Sequence, residues 1–399
     1  MLGIRLLSID YERHELRVEA DDGRVIVEAA RAPRPDGPLD FKSVTFRPHD
    51  LELEMVVPSG TKLEVEVFDQ DDQEQRRSGR PIVYLDQNKW VQVAQATYAP
   101  EKVSPRELGP TLRLVGLSRS RRVLLPISSG HWIETGSLDG RQRAHLATVM
   151  VGLSRGWVMR DPLRVASSEM TTLFGPEPPG APDPGEPVFT LEARALFAEP
   201  PPKYVPRDRG LPPDLAESID TLSGVQSILA VLLEDERNRD RAGVERAQRW
   251  AGAHQAFAIQ LAQDRLSEHE RRRRTLEAFI GDLGHGLTEV ARAHGVEKAD
   301  FETWVDERAE HDLRRLPYVG RRREITHARL GNAEDRWNDH DLIDMLYLPC
   351  AAEYGDYVVC EKKTAHYLRR TARDRLSSGA VVTSFEDLVA ALKPDGLCP

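Results

Sequence analysis

The segment Pro81-Ile82-Val83-Tyr84-Leu85 is apolar at every position, stops at Asp86, and is followed by amphipathic helical sequence. A strand with no polar side chain on either face belongs inside a sheet covered on both sides, the setting of parallel strands flanked by helices. The pattern recurs. Val123-Leu124-Leu125-Pro126-Ile127 stops at Ser128-Ser129, which can cap a helix carrying Glu134. Trp157-Val158-Met159 is a third run, Tyr357-Val358-Val359-Cys360 a fourth, and Ala380-Val381-Val382-Thr383 a fifth, with a Ser384-capped helix after it to about Leu392. Strands alternating with helices predict a parallel α/β sheet built from residues 81–174 and 314–399.

The rest of the chain has a different texture. Residues 1–68 carry short alternating runs around Ile4–Ile9, Leu16–Val18, Val25–Val27, Val44–Phe46, Leu51–Val57 and Leu63–Phe68, with turn residues such as Asp21-Asp22-Gly23 between them. Six such strands predict a small all-β sandwich or barrel. Residues 69–80, DQDDQEQRRSGR, read as a linker. Residues 175–213 hold 12 of the 27 prolines, which excludes a continuous helix or a central strand and predicts a long surface loop. Helical periodicity then fills an insertion over 214–313, through Ile219–Leu232, Val244–Leu266 and Leu276–Val290. The basic tetrad Arg271 to Arg274 is flanked by Glu268, Glu270 and Glu277, the pattern of a solvated helix face or of a nucleic-acid contact.

At 399 residues the chain exceeds what one hydrophobic core supports, so two or three domains are expected. No apolar run approaches the roughly 20 residues of a membrane span, and the opening segment lacks the basic start and apolar centre of a secretory leader. A cytoplasmic location with no membrane partner is the expectation. Cys350, Cys360 and Cys398 are three in number without C-x-x-C spacing, and read as reduced thiols. A net charge of -10 excludes a protein that coats nucleic acid by bulk charge. It leaves room for a nuclease, whose carboxylate pocket is itself acidic.

Chemistry concentrates in three segments. Asp86 sits where a buried strand runs out, and open α/β sheets bind ligands at the carboxyl ends of their strands. It is a metal ligand or the N-cap of the helix that follows, with Asn88 as its helper. In the second segment, Ser128 to Thr135, His131 and Glu134 share a helix face, His131 being structural or a substrate hydrogen-bonder. Arg143 stands further on, able to pair with an acid or a phosphate. The third runs Asn338-Asp339-His340-Asp341-Leu342-Ile343-Asp344, then Asp356 through Glu361-Lys362-Lys363. Asp341 and Asp344, three apart on a helix, would repel one another unless a cation such as Mg²⁺ or Mn²⁺ relieved them. Asp356 and Glu361 bracket the fourth strand. Lys362 and Lys363 can hold a phosphate or face solvent, and the alternative for every one of these acids is a cap or surface charge.

In order, a buried strand ending Leu85-Asp86-x-Asn88, then Leu-Pro-Ile-Ser-x-x-His-x-x-Glu-Thr, then an Asn338-Asp-x-x-Leu-x-Asp helix, then Tyr-x-Asp-x-Val-Val-x-Glu-Lys, the chain resembles the PIN-like nuclease domain over about residues 81–174 and 314–393. The resemblance implies three or four acids around one or two divalent ions, Mg²⁺ or Mn²⁺, cutting phosphodiesters of nucleic acid, RNA favoured over DNA, with 5'-phosphate products. Carried over, Asp86 is the first acid, Glu134 the second, Asp344 with Asp341 beside it the third, and Asp356 or Glu361 the fourth. Asn88, His131, Arg143, Asn338, Lys362 and Lys363 would contact substrate. The chain departs from the pattern in having Glu361 where Asp is usual, and in Pro349, which should end or kink the third-acid helix near Leu348. A non-catalytic binding module working through a protein partner on the β-domain, and a structure-specific DNA nuclease, stand as alternatives; self-association is left open.

Overall fold

The computed structural model describes residues 3–29, 41–57, 60–67, 77, 79–138, 140–175, 186–199, 241–371 and 379–393. The expected helix at 219–232, and most of the linker and the proline-rich segment, lie outside them. The chain divides into two compact units: Met1–Met159 with Phe189–Asn238 and Val389–Pro399, and Arg160–Val188 with Arg239–Leu388.

The first unit opens with six strands, β1 (Ile4–Asp10), β2 (Glu15–Ala20), β3 (Val25–Ala29), β4 (Ser43–Arg47), β5 (Glu52–Val56) and β6 (Lys62–Glu66). They form one antiparallel sheet in the order β3-β2-β1-β4-β5-β6, not the two facing sheets of a sandwich or a closed barrel. The register explains this. Val44 pairs with Met55, Phe46 with Leu53, Met55 with Leu63 and Leu53 with Val65, so these side chains share one face. All are buried, whereas Val25, Ile26 and Val27 of edge strand β3 are about half exposed. One apolar face needs one cover, not a second sheet.

That cover lies in the same unit. β7 (Val83–Leu85) is wholly buried and leads into α1 (Gln87–Tyr98), followed by α2 (Pro105–Arg119), α3 (Ser129–Thr135), α4 (Gly140–Ser154), β8 (Val158–Met159) and, later in the chain, β9 (Phe189–Thr190). The run at 123–127 makes two parallel bridges, Ile82 with Leu124 and Ile127 with Val158. It is too short between them to be a regular strand because Pro126 has no N–H to give the ladder. β8 pairs antiparallel with β9. Part of the proline-rich stretch is therefore buried structure and not surface loop: Val188, Phe189 and Leu191 are each under 5% exposed.

A knot of charges seats the sheet on this layer. Glu66, 3% exposed, takes both terminal nitrogens of Arg80 at 3.0 Å and accepts from the indole of Trp157 at 3.3 Å. Gly156, at φ +90°, passes so close that a Cβ there would stand 2.7 Å from the Glu66 carbonyl oxygen.

The second unit is mainly helical: α5 (Pro162–Thr171), α6 (Arg241–Gln263), α7 (Glu268–Ala293), α8 (Lys298–Glu307), α9 (Ala309–Arg315), α10 (Pro317–Leu330), α11 (His340–Tyr354) and α12 (Lys362–Thr371). Two short strands, β10 (Tyr357–Val359) and β11 (Ala380–Val382), pair in parallel. The expected cap is present, with Ser384 Oγ accepting from the Asp387 N–H at 3.0 Å. Pro349 does not end α11, which continues to Tyr354. Burial of Met345, Tyr347, Leu348, Cys350, Ala351 and Ala352 along it outweighs the one hydrogen bond that proline removes. Among the described residues no helix is long and apolar enough to cross a membrane.

Candidate functional site

In the first unit the sequence sets Asp86 at the end of one apolar run and Glu134 on the helix after another, and the structure brings them close enough for the charge of Asp86 to act on Glu134. Asp86 is 8% exposed; its Oδ1 accepts from the Gln87 N–H at 2.7 Å, making it the N-cap of α1. Glu134 lies half-buried on α3. Burial, and then the negative charge of Asp86, push its carboxyl up to about 8. Proton affinity raised in this way marks two acids that share a poorly hydrated space.

The frame around the pair is built by His131. The Ser128 N–H donates to its Nδ1 at 3.0 Å, so the proton sits on Nε2, which donates to the Leu85 carbonyl oxygen at 2.8 Å. Tyr84 stacks on the imidazole with ring centres 5.1 Å apart, and its hydroxyl meets Ser128 Oγ at 2.9 Å. Burial lowers the ring to about 4, so it is neutral and, at 2% exposed, closed to solvent. His131 is thus a clamp between strand end and helix start, not a substrate hydrogen-bonder. Gln87 adds a second tie, its Nε2 donating to Thr135 Oγ1 at 3.0 Å. Arg143 is 4% exposed, which withdraws it from a phosphate in solvent. Asn88 stays exposed in the first turn of α1.

The candidates of the second unit scatter. Asp341, 6% exposed, takes the Asn338 N–H on Oδ2 at 2.7 Å, Arg329 Nη1 on Oδ1 at 3.0 Å, and lies 3.7 Å from Lys363 Nζ. Asn338 Oδ1 accepts in return from the Asp341 N–H at 3.2 Å, a reciprocal helix cap. Asp335, which sequence reasoning passed over, completes the group: Arg329 Nε at 3.1 Å, Lys363 Nζ at 2.7 Å and the Tyr367 hydroxyl at 2.8 Å. Burial alone would raise Asp335, but those hydrogen bonds and the Arg329 charge outweigh it and hold the carboxyl below its ordinary value. Two carboxylates thus face two cations, and the Arg329 guanidinium lies 4.0 Å over the Trp337 indole. This is a closed structural network, and it engages Asp341, Asn338 and Lys363 as structure.

Asp344 is half-buried one turn further along α11, beside Lys363, Thr364 and Tyr367. Asp356 and Glu361 are both exposed but stand at opposite ends of β10. Five residues of extended chain span roughly 16 Å, so one ion cannot take both. Lys362 is exposed at the start of α12. Among the described residues no three His, Cys, Asp or Glu side chains gather as metal ligands.

Glu169 was also missed. It is fully buried on α5 and caps α10, accepting from the Tyr318 N–H at 2.8 Å, the Val319 N–H at 2.9 Å and the Tyr354 hydroxyl at 2.5 Å. Burial outweighs these three donors and lifts the carboxyl to about 7. The signal was present in Val165, Ala166, Glu169 and Met170, an acid on an apolar helix face.

No protein-family model, curated protein or solved structure matches the chain.

Proposed function

We propose that the protein is a metal-dependent nuclease of PIN-like type, cutting phosphodiesters of nucleic acid, RNA in preference to DNA, with Asp86 and Glu134 as the catalytic core. The observation that carries the reading is the buried Asp86, fixed as a helix cap at the end of β7, with Glu134 on α3 near enough that burial and the Asp86 charge raise the Glu134 carboxyl. Two carboxylates that resist common ionisation form a site for a hard divalent cation, and Mg²⁺ or Mn²⁺ is held through as few as one or two carboxylates with water and substrate oxygens completing the shell. Such an ion supplies the charge that polarises a phosphodiester and lowers the pKa of an attacking water.

The chain's own work is positioning. His131 fixes the Leu85 carbonyl, and so the approach of Asp86; the Gln87–Thr135 bond fixes the helix that carries Glu134. Asn88, on the exposed turn beside Asp86, is placed to meet substrate. The proposed core is confined to the first unit; Asp341 is set aside for the Arg329 network described above.

The test is cleavage of labelled single-stranded RNA and DNA by the purified protein with Mg²⁺, with Mn²⁺ and with chelator. Metal-dependent products bearing 5'-phosphate are expected, reduced at least about 100-fold in Asp86→Asn and Glu134→Gln. If wild type shows no metal-dependent cleavage beyond that of the variants, the chain is a binding module and not an enzyme.

A further inference from the structure

The first unit holds a second feature that the acid pair does not use. A cleft of about 390 Å³ opens between the carboxyl-terminal half of α1 and the start of α4. Its floor is apolar, from Val91, Ala94 and Leu146, and its walls carry the side-chain amides Gln95 and Gln142. Tyr98 and His145 stack within it, ring centres 4.0 Å apart and planes within 15°. Tyr98 is nevertheless 42% exposed, so one face of the stack is open to solvent.

At the rim stand Lys102 and Arg141. Among the described residues neither side chain makes an ion pair or a hydrogen bond, in a protein where Arg80, Arg155, Arg272, Arg323, Arg329 and Lys363 are all paired with acids. Among the described residues no carboxylate lines the cleft, and Glu101, next to Lys102 in the chain, is exposed outside it. Two cations at the rim of one cleft, without an acid partner among the described residues, favour an anion, and an open aromatic face favours a planar ring.

We infer that this cleft binds a nucleotide unit, its base stacked on Tyr98 and its phosphate between Lys102 and Arg141. Stacking on an aromatic side chain with cations along the backbone is the general means of holding unpaired bases. The amides of Gln95 and Gln142 supply donors and acceptors for a base edge. A packing role alone would bury the tyrosine and would not need the two rim cations. The unit has two sources, a free mononucleotide or one residue of a single strand. Val91, Gln95 and Tyr98 follow one stripe of α1, whose 12 residues are capped by Asp86, so Tyr98 lies about 18 Å along that helix from Asp86. If the source is a strand, the cleft deepens the nuclease reading by making it the hold on substrate.

The experiment is binding to the full chain in chelator, where no cleavage occurs. Fluorescein-labelled ten-residue oligo-U and oligo-dT, and the same length as duplex, are followed by anisotropy; AMP and UMP are followed by calorimetry. Expected is binding of single strand over duplex, or of mononucleotide, the arm that binds naming the source. Tyr98→Ala should weaken it about 5- to 150-fold, with Tyr98→Phe retaining it. Lys102→Gln with Arg141→Gln should weaken it and flatten its salt dependence. Absence of binding in every arm, or binding that the charge pair and Tyr98→Ala leave unchanged, overturns the inference. Should Tyr98→Ala fail to fold by circular dichroism, the charge variant decides alone. Binding here without cleavage in Mg²⁺ removes only the nuclease reading; cleavage indifferent to these variants removes only this site.

Discussion

The Nε2–H of His131 donates to the carbonyl oxygen of Leu85 at 2.8 Å, so the residue that ends one buried strand is tied to the first turn of the helix that carries Glu134. Backbone at a strand end has lost its ladder partner, and a buried carbonyl there needs another donor. Placing that donor on α3 couples the two acids mechanically. Asp86 can shift only if the imidazole moves with it.

Replacing His131 therefore tests frame and function together. His131→Ala leaves the Leu85 carbonyl and the Ser128 N–H without their partner and opens a cavity under Tyr84, at a cost of about 2–4 kcal/mol. The wild-type ring also confers a pH dependence. Its folded value of about 4 lies below the ordinary 6.5 of a free imidazole, so its contribution is complete above 6.5 and is lost as pH falls towards 4. Urea unfolding midpoints of wild type and variant should converge across that window; parallel curves would remove His131 from the acid sensitivity.

Glu169 has the opposite sign. Its folded value of about 7 lies above the ordinary 4.5 of a free carboxyl, so the fold gains most below 4.5, and that gain declines as pH rises through 7. The slope from this one group reaches at most about 1.4 kcal/mol per pH unit. Glu169→Gln, which cannot ionise, should flatten the stability profile between pH 5 and 7 while keeping most of the cap on α10. A variant profile as steep as wild type would assign the slope to other groups.

Asp341 and Glu134 look alike in the sequence, each an acid on a helix next to an apolar run, and the structure separates them. Asp341→Asn leaves buried Arg329 short of a counter-charge, and breaking such a pair costs about 3–5 kcal/mol. Its metal-dependent activity per folded molecule should be unchanged. Glu134→Gln should do the reverse, keeping or raising thermal stability because it removes repulsion with Asp86, and abolishing activity. Loss of activity in Asp341→Asn at full stability would return Asp341 to the site.

What could be read in the sequence follows from how local each signal is. The run 81–85 could be placed because every residue is apolar, and Asp86 was recognised as a cap or ligand because both depend only on the strand ending there. Period-2 alternation located all six amino-terminal strands but not their closure, since whether β3 meets β6 depends on what covers Leu53 and Met55. Helix spacing put His131 and Glu134 on one face and could not say that one turns inward to a carbonyl and the other towards a carboxylate. Least visible were Asp335 and Lys363, 28 positions apart, whose pairing exists only once α10, α11 and α12 are assembled. The Tyr98–His145 stack is of the same kind, joining two helices 47 positions apart.

Gly156 offers the sharpest test of the seat between the amino-terminal sheet and its cover. At φ +90°, with Val65 Cγ1 2.6 Å and the Glu66 carbonyl 2.7 Å from where a Cβ would lie, Gly156→Ala meets both a strained backbone and a backbone clash. The neighbouring strand would have to retreat, loosening Glu66 from Arg80 and Trp157. A loss of about 2–4 kcal/mol is expected, with early proteolysis within residues 1–67. Gly116 gives the matched contrast: it lies exposed inside α2 with nothing within 4 Å of its missing Cβ. Gly116→Ala should raise stability by about 0.5–1 kcal/mol, through helix propensity alone. Melting curves that move both variants in the same direction would mean that the close approach of Gly156 to β6 does not hold the sheet in place.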